Sequence, residues 1–224
     1  MDYFSLSESP LFRGLTSAEL RTVLQETPHH IQCYEKGELI FMQMDDARQV
    51  GIILEGQVQG QKTFPNGSLV NVSSRGPGNV IGPAAVFSRM HQYPCDVTAV
   101  EPSTIMMLRR DDLLVLLQKD VRILQNFITE ISTATVMLQQ KIELFSYNGI
   151  GQKAAFWLLL RYRKTGKTCV AIPGSVTKWA LQMNVSRPSL HRELKKMEEN
   201  GLIRYSSKQI EILKPDGLEE MLGE

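Results

Sequence analysis

The sequence predicts an α+β fold: an N-terminal antiparallel β-roll of the double-stranded jelly-roll kind, then a long helix, then a C-terminal winged helix-turn-helix domain. Three observations carry that prediction. Residues 31–108 are short β-type runs separated by glycine-marked turns. From Leu117 onward, apolar residues recur at gaps of four and three. After a glycine-bearing break, two short helical segments with a three-residue turn precede two short β-type runs. The divisions read as residues 1–110 for the roll, 111–147 for the long helix and 148–224 for the last domain.

The chain opens with Pro10-Leu11-Phe12-Arg13-Gly14-Leu15-Thr16 and a helix over 17–25. Thr16 or Ser17 caps it, and Glu19 stands in its first turn, where a carboxylate suits the orphan amides. Residues 39–41, 50–54, 58–63, 69–72, 97–100 and 104–108 read as strands, with Asn66-Gly67 as a tight hairpin turn between two of them. Glycines at 37, 51, 56, 67, 78 and 82 suit a roll of antiparallel strands that turns repeatedly.

The long helix carries Leu117, Val121, Leu124, Ile128, Ile131, Thr135, Leu138, Ile142 and Phe145, an a/d seam of about four heptads with Thr135 as its polar member. A seam this regular predicts a parallel homodimer, since packing on the chain's own core gives a wider stripe. Phe127 and Met137 stand beside the seam, placed to pack on the roll. Asn148-Gly149-Ile150-Gly151 then breaks the helix. Residues 152–163 resume a helix, Lys164–Lys167 turn, and the remainder is small enough that it is expected to lean on the preceding helix for its core.

The composition narrows the function. No apolar run approaches the ~18 residues that cross a bilayer, and Met1-Asp2-Tyr3-Phe4-Ser5 lacks the basic segment and apolar core of a signal peptide. A cytoplasmic protein with no membrane partner is expected. Three scattered cysteines, Cys33, Cys95 and Cys169, fit reduced thiols rather than a disulfide framework. The net charge of +1 conceals a split: residues 1–148 carry −4 and residues 149–224 carry +5. A basic end on an acidic partner suits a polyanion; a solvated charged face gives the same numbers.

Residues 177–197 decide between those readings. Thr177 caps a first helix whose Ala180, Leu181 and Met183 face inward; Asn184 takes the turn, where Asn tolerates a left-handed backbone. Ser186 caps a second helix, and Pro188 is accommodated in its first turn, where amides have no intrahelical acceptor. Leu190, Leu194 and Met197 anchor one face, which leaves Arg187, Ser189, His191, Arg192 and Lys195 outward. Two helices so joined place the second in a DNA major groove. There arginine grips guanine O6 and N7, while Thr177, Lys178 and Ser186 beside helix N-termini suit phosphates. Gly201 stops the second helix, and residues 202–205 and 209–213 form a wing.

On these residues the chain resembles the CRP/FNR family, the catabolite-activator-like regulators, over nearly its whole length. Lys36-Gly37-Glu38-Leu39-Ile40-Phe41, Gly51–Val58 and Gly78-Asn79-Val80-Ile81-Gly82 resemble the family's glycine-marked sensor roll, residues 117–145 its dimerisation helix, and Val185–Leu194 its recognition helix. The resemblance implies transcription regulation with double-stranded DNA as partner, RNA polymerase as a further partner if the chain is an activator, and an effector-sensing roll. It implies an effector pocket from Gly82, Pro83, Ala84, Ala85, Pro94, Cys95, Leu138 and Gln139. Cyclic-nucleotide-binding members hold the ribose with Gly-Glu and the phosphate with Arg-Ser or Arg-Thr; here the positions read Gly82-Pro83 and Pro94-Cys95. Without the guanidinium, tight cAMP binding is not expected, and the effector, if there is one, is unnamed. Pro188 also stands where the best-known members carry Glu, so their operator sequence does not transfer.

No cofactor is expected. The first 32 residues hold no cysteine for an iron–sulfur cluster. His29, His30 and His91 are haem donors only in principle, and Cys95 is a redox sensor only if its thiol is acidified, otherwise an inert buried group. Gln139 reaches a ligand or stays solvated. Two other functions compete. A cupin-like metalloenzyme needs two or three converging histidines with a carboxylate, but the chain has four histidines and no His-x-His pair in the roll. Gly166-Lys167-Thr168 is no phosphate loop, since Arg161 replaces the required glycine. A ligand-sensing roll with a silent DNA domain is opposed by the basic face of residues 187–195.

Overall fold

The computed structural model describes residues 6–7, 9–63, 69–206 and 208–223, in two compact units, residues 1–134 and 135–224. The Asn66-Gly67 turn lies outside the described residues.

In the first unit, a 3-10 turn at Pro10–Phe12 precedes α1 (Ser17–Gln25). Thr16 is the cap: its Oγ1 accepts from Glu19 N–H, and the Glu19 carboxylate accepts from Thr16 N–H at 2.7 Å, a reciprocal capping box. Eight strands follow: β1 (His30–Tyr34), β2 (Leu39–Phe41), β3 (Gln49–Glu55), β4 (Val58–Thr63), β5 (Leu69–Arg75), β6 (Val80–Ile81), β7 (Asp96–Ala99) and β8 (Ser103–Arg109). They form two antiparallel sheets, β1-β8-β3-β6 and β2-β7-β4-β5. β3 and β8 are near-continuous buried runs, because both their faces are covered. Gly51 on β3 is required there: a Cβ would stand 2.7 Å from the Ile105 side chain on β8 and 2.9 Å from Ile81 on β6. A five-residue helix, α2 (Pro83–Phe87), sits between β6 and β7.

The helix read as one from residue 117 is two, α3 (Arg110–Lys119) and α4 (Val121–Ser146). Asp120 between them is extended, and its carboxylate accepts from Arg122 N–H at 2.8 Å, capping the new helix. This corrects the seam. Leu117 is only 5% exposed and packs with Leu113 and Leu116 in the roll's core, so it is no interface residue. Val121, Leu124, Ile128, Leu138, Ile142 and Phe145 are exposed apolar residues; Thr135 is exposed and Ile131 half-buried. Phe127 meets Phe87 edge to face at 5.7 Å, as expected, whereas Met137 is solvent-exposed. Arg122 ties the start of α4 to the N-terminal segment through Glu19 (2.8 Å), Asp120 (2.7 Å) and the Gly14 carbonyl (2.9 Å).

The second unit holds the end of α4, α5 (Ile150–Thr165), β9 (Cys169–Ala171), α6 (Val176–Gln182), α7 (Arg187–Glu199), β10 (Ile203–Tyr205), β11 (Gln209–Ile212) and α8 (Pro215–Leu222). The break falls at Tyr147–Gly149, and Gly149 precedes α5. This unit is better furnished than its size suggested. Trp157 and Trp179 lie 4.8 Å apart at the centre of a core that takes in Leu158, Leu190, Leu194, Ile203 and Leu218. Leu144 is the buried contribution of α4. β9 and α8, absent from the sequence reading, supply the third strand of a β10-β11-β9 sheet and a lid over α5, where Glu219 pairs with Arg163 at 2.9 Å.

Leu117→Ala is expected to cost roughly 2–5 kcal/mol in denaturant unfolding, against under about 0.5 kcal/mol for the exposed Val115→Ala on the same helix; equal small losses would return Leu117 to the surface. The Arg122 guanidinium, then the Thr16 amide and hydroxyl, lower the Glu19 carboxyl from 4.5 to about 2. A depressed folded value stabilises above the ordinary carboxylate range, and that contribution fades as pH falls from 4.5 toward 2. Arg122→Gln should therefore raise the Glu19 midpoint in an NMR titration and flatten the acid limb of stability; an unmoved midpoint would remove Arg122 as the cause.

Candidate nucleic-acid interface

α6 is capped by Ser175, whose Oγ accepts from Lys178 N–H at 3.1 Å. Thr177 is therefore an exposed first-turn residue, not the cap, two positions from where it was placed. Ala180 and Met183 are buried as expected, but Leu181 is 73% exposed and looks outward. Asn184 is left-handed, with φ of 54°. Val185 N–H reaches back to Ala180 O at 3.0 Å, which closes α6 in the way a left-handed C′ residue does.

Ser186 begins α7. Its Oγ accepts from Ser189 N–H at 3.2 Å and donates to Ser189 Oγ at 2.8 Å. Pro188 falls in the first turn. Leu190, Leu194 and Met197 are buried against α5 and α6. Arg187, His191, Arg192 and Lys195 are exposed, and Ser189 is half-exposed.

The outward cations are not equivalent. Lys195 Nζ pairs with Glu198 at 2.7 Å and Lys196 with Glu193 at 2.8 Å. Glu198 also accepts from Tyr205 N–H at 2.8 Å, so it joins α7 to the wing strand β10. These two donors hold the Glu198 carboxyl below its ordinary value, and Glu198 in turn raises Lys195. Tyr205 folds back over the helix: its hydroxyl is 3.3 Å from His191 Nδ1, and Lys195 Nζ lies 5.7 Å from its ring centroid. Arg187 and Arg192 have no ion pair or side-chain hydrogen bond among the described residues. The structure thus sorts the named residues into free cations (Arg187, Arg192, Lys178), cap hydroxyls (Ser186, Ser189) and groups held against the wing (His191, Lys195). Tyr205 and Glu198 escaped the sequence reading. The i,i+3 spacing of Lys195 and Glu198 was a clue to one; the backfolding of Tyr205 has no local signature.

Each group named for the effector pocket has its own surroundings. Gly82 has φ of 81° and precedes α2. A Cβ there would stand 3.2 Å from Phe41 and 3.3 Å from Tyr93, whose rings stack at 4.3 Å. Ala85 and Val86 N–H both bond to Gly82 O and Pro83 has no N–H, which leaves the Ala84 amide without an acceptor among the described residues. Pro94 and Ala84 are exposed. Cys95 is half-buried; burial, then Asp96, pushes its thiol up, the opposite of what a reactive thiolate needs. Leu138 and Gln139 are exposed residues of the second unit. All three cysteines are free thiols, and His29 Nδ1 faces the Thr27 carbonyl at 2.7 Å. Among the described residues no three His, Cys, Asp or Glu side chains converge as a metal site, and no helix is long and apolar enough to cross a membrane.

Known proteins agree with this layout. Residues 31–120 match the cyclic nucleotide-binding domain and residues 152–221 the Crp-like helix-turn-helix domain. The chain is 24% identical over 213 residues to a probable transcriptional regulator, flp, of Lacticaseibacillus casei, covering 94% of each chain. Its fold is that of the Thermus thermophilus catabolite activator protein (TM-score 0.56, 23% identity, 96% of this chain and 99% of that one). A CooA variant from Carboxydothermus hydrogenoformans is similar (TM-score 0.57, 15% identity, 90% of each). With the roll, the helix-turn-helix and its wing in this order along one chain, the protein belongs to the CRP/FNR family of transcription regulators.

Proposed function

We propose that this regulator is a homodimer that binds a palindromic DNA operator, inserting α7 into the major groove of each half-site. The observation that carries the reading is a pair of arginines without a partner among the described residues, Arg187 and Arg192, on the exposed face of a capped helix. A guanidinium with no internal acceptor has all its donors available for guanine O6 and N7. Ser189 adds a hydroxyl to the base-reading face. Lys178 and Thr177 on the first turn of α6, and Ser186 at the start of α7, suit phosphates that set register. His191 and Lys195 act with the wing: Glu198 offsets the Lys195 charge and Tyr205 holds both side chains, so they position β10 beside the groove as much as they touch DNA.

Pairing is supported by α4, which leaves Val121, Leu124, Ile128, Leu138, Ile142 and Phe145 in water at heptad spacing. A parallel pair gives two copies of α7 related by a two-fold axis, hence half-sites about one helical turn apart. The effector, if the roll takes one, is not cAMP: Pro83 removes both a carboxylate and an amide, and no arginine replaces Pro94-Cys95. The protein acts by binding, without cofactor or catalysis, in the cytoplasm where its DNA is, and contacts RNA polymerase where it activates.

Arg192→Ala should weaken operator binding and relax one base position by roughly 1–3 kcal/mol in gel shifts, with affinity falling steeply as salt rises and unmoved by added cAMP. Unchanged affinity for the variant would take Arg192 out of the base-reading set. Leu138→Glu should convert dimer to monomer in sedimentation and lower operator affinity in parallel; a dimer that survives would disprove the helix seam.

A further inference from the structure

The first unit carries an open cleft of about 750 Å³, a size that holds small ligands. Two loops and a helix start frame it. Residues 42–47 and 88–93 are laced together by Met44 N–H to Tyr93 O (2.9 Å), Tyr93 N–H to Asp45 O (3.1 Å) and Ala47 N–H to His91 O (2.8 Å). Tyr93 Oη donates to Gln49 O at 2.7 Å, which fixes the loops to β3. Arg110 N–H donates to Arg48 O at 3.0 Å, which fixes them to the start of α3. Met44 (φ 72°) and His91 (φ 47°) are left-handed although neither is glycine. Strain of this kind persists where the surroundings over-determine it, and it concentrates at ligand clamps.

The frame presents positive charge. Arg48, Arg109 and Arg110 line the cleft, with the His91 ring beside them and the carboxylates Asp46 and Asp111 also in its lining. Three of the eight arginines in residues 1–134 are gathered here, in a unit whose net charge is −4. The side chains of Arg109 and His91 have no partner among the described residues. Among the described residues, Arg48 and Arg110 form ion pairs with their near neighbours Asp46 (2.8 Å) and Asp111 (3.3 Å), and both pairs are solvent-exposed. Exposed pairs gain little over solvation, so a ligand oxyanion exchanges for them readily. Arg110 also lies 5.6 Å from the Phe87 ring centroid, which holds its guanidinium in place.

We propose that this cleft binds a small phosphorylated ligand, with its phosphoryl oxygens on the Arg109 and Arg48 guanidinium forks. The fork geometry matches phosphate oxygens two at a time. Asp46 and Asp111 set the charge requirement: a ligand with a single negative charge gains too little to displace them, whereas a phosphoryl dianion gains from several arginines at once.

The test uses the full chain carrying Arg187→Gln and Arg192→Gln, which removes the free arginines of the DNA face, titrated calorimetrically with inorganic pyrophosphate. One saturable site per chain is expected. Arg109→Gln or Arg48→Gln should each weaken it by about tenfold or more at an unchanged unfolding temperature, since both side chains are exposed. Lys36→Gln, exposed elsewhere in the same unit, should leave it intact. No saturable heat, unchanged affinity in the two arginine variants, or equal weakening by Lys36→Gln would overturn the proposal.

Discussion

The nucleic-acid face depends on one backbone constraint, the left-handed residue at Asn184. With φ at 54° the chain reverses in a single step, Val185 N–H returns to Ala180 O, and Ser186 is delivered to the start of α7 as its cap. A β-branched or bulky residue would resist this conformation, whereas Asn accepts it at small cost. Once the turn is fixed, the apolar faces of α6 and α7 converge on Trp179 and Leu190, and Arg187 and Arg192 are left facing away. The convergence is strong enough to bury Trp179 completely although its indole N–H has no acceptor among the described residues. An orphan donor costs about 1–3 kcal/mol. The ring's burial returns roughly 4–6 kcal/mol at 25 cal/mol per Å² over a large aromatic surface, so packing wins.

Charge on α7 is decided at a second level. Helical periodicity shows which residues face outward, and it named Arg187, His191, Arg192 and Lys195 correctly as exposed. Periodicity does not show which of them is already engaged. Glu198 and Glu193, three residues from their lysines, neutralise Lys195 and Lys196 locally, and Tyr205 arrives from a strand that follows the helix. The arginines stay unpaired because no acid stands three or four residues away on their side. The basic excess of the second half of the chain therefore overstates what α7 offers a nucleic acid, and the two arginines carry more of the reading than the net charge suggests.

Six strands of the roll were legible to within a few residues from their β-type runs, but β1 and β6 were not: β1 is mostly exposed and β6 is two residues long, so neither carries a pattern of its own. The three-stranded wing sheet was legible only in part, since β9 is three residues long and owes its conformation to β11. Leu117 shows a different limit. The gap of four from Leu117 to Val121 continues the heptad in sequence through a point where the helix breaks, so the two residues fall on different faces, Leu117 buried and Val121 exposed. The break did have a mark, an aspartate directly before Val121, and Asp120 caps α4 as such a residue should. A period measured over many residues outweighed a single capping residue, and the structure shows the cap to be the better guide.

The same break gives α4 its character. Its first turns are fastened to the roll by Arg122, by Asn126 donating to the Leu11 and Arg13 carbonyls, by buried Ile123 and by Phe127 on Phe87. Ile123 and Phe127 lie one helical turn apart on the inner face, while Val121, Leu124 and Ile128 lie on the outer one. One short stretch of helix therefore serves two surfaces, an inner face packed on the roll and an outer face left to water. Phe87 closes the short helix beside Gly82, and its ring also lies against Arg110 at the cleft. α2 meets α4 through the Phe87–Phe127 ring contact, within one helical turn of the apolar stripe. The roll and the exposed apolar face of α4 are thus joined by packed side chains within one unit.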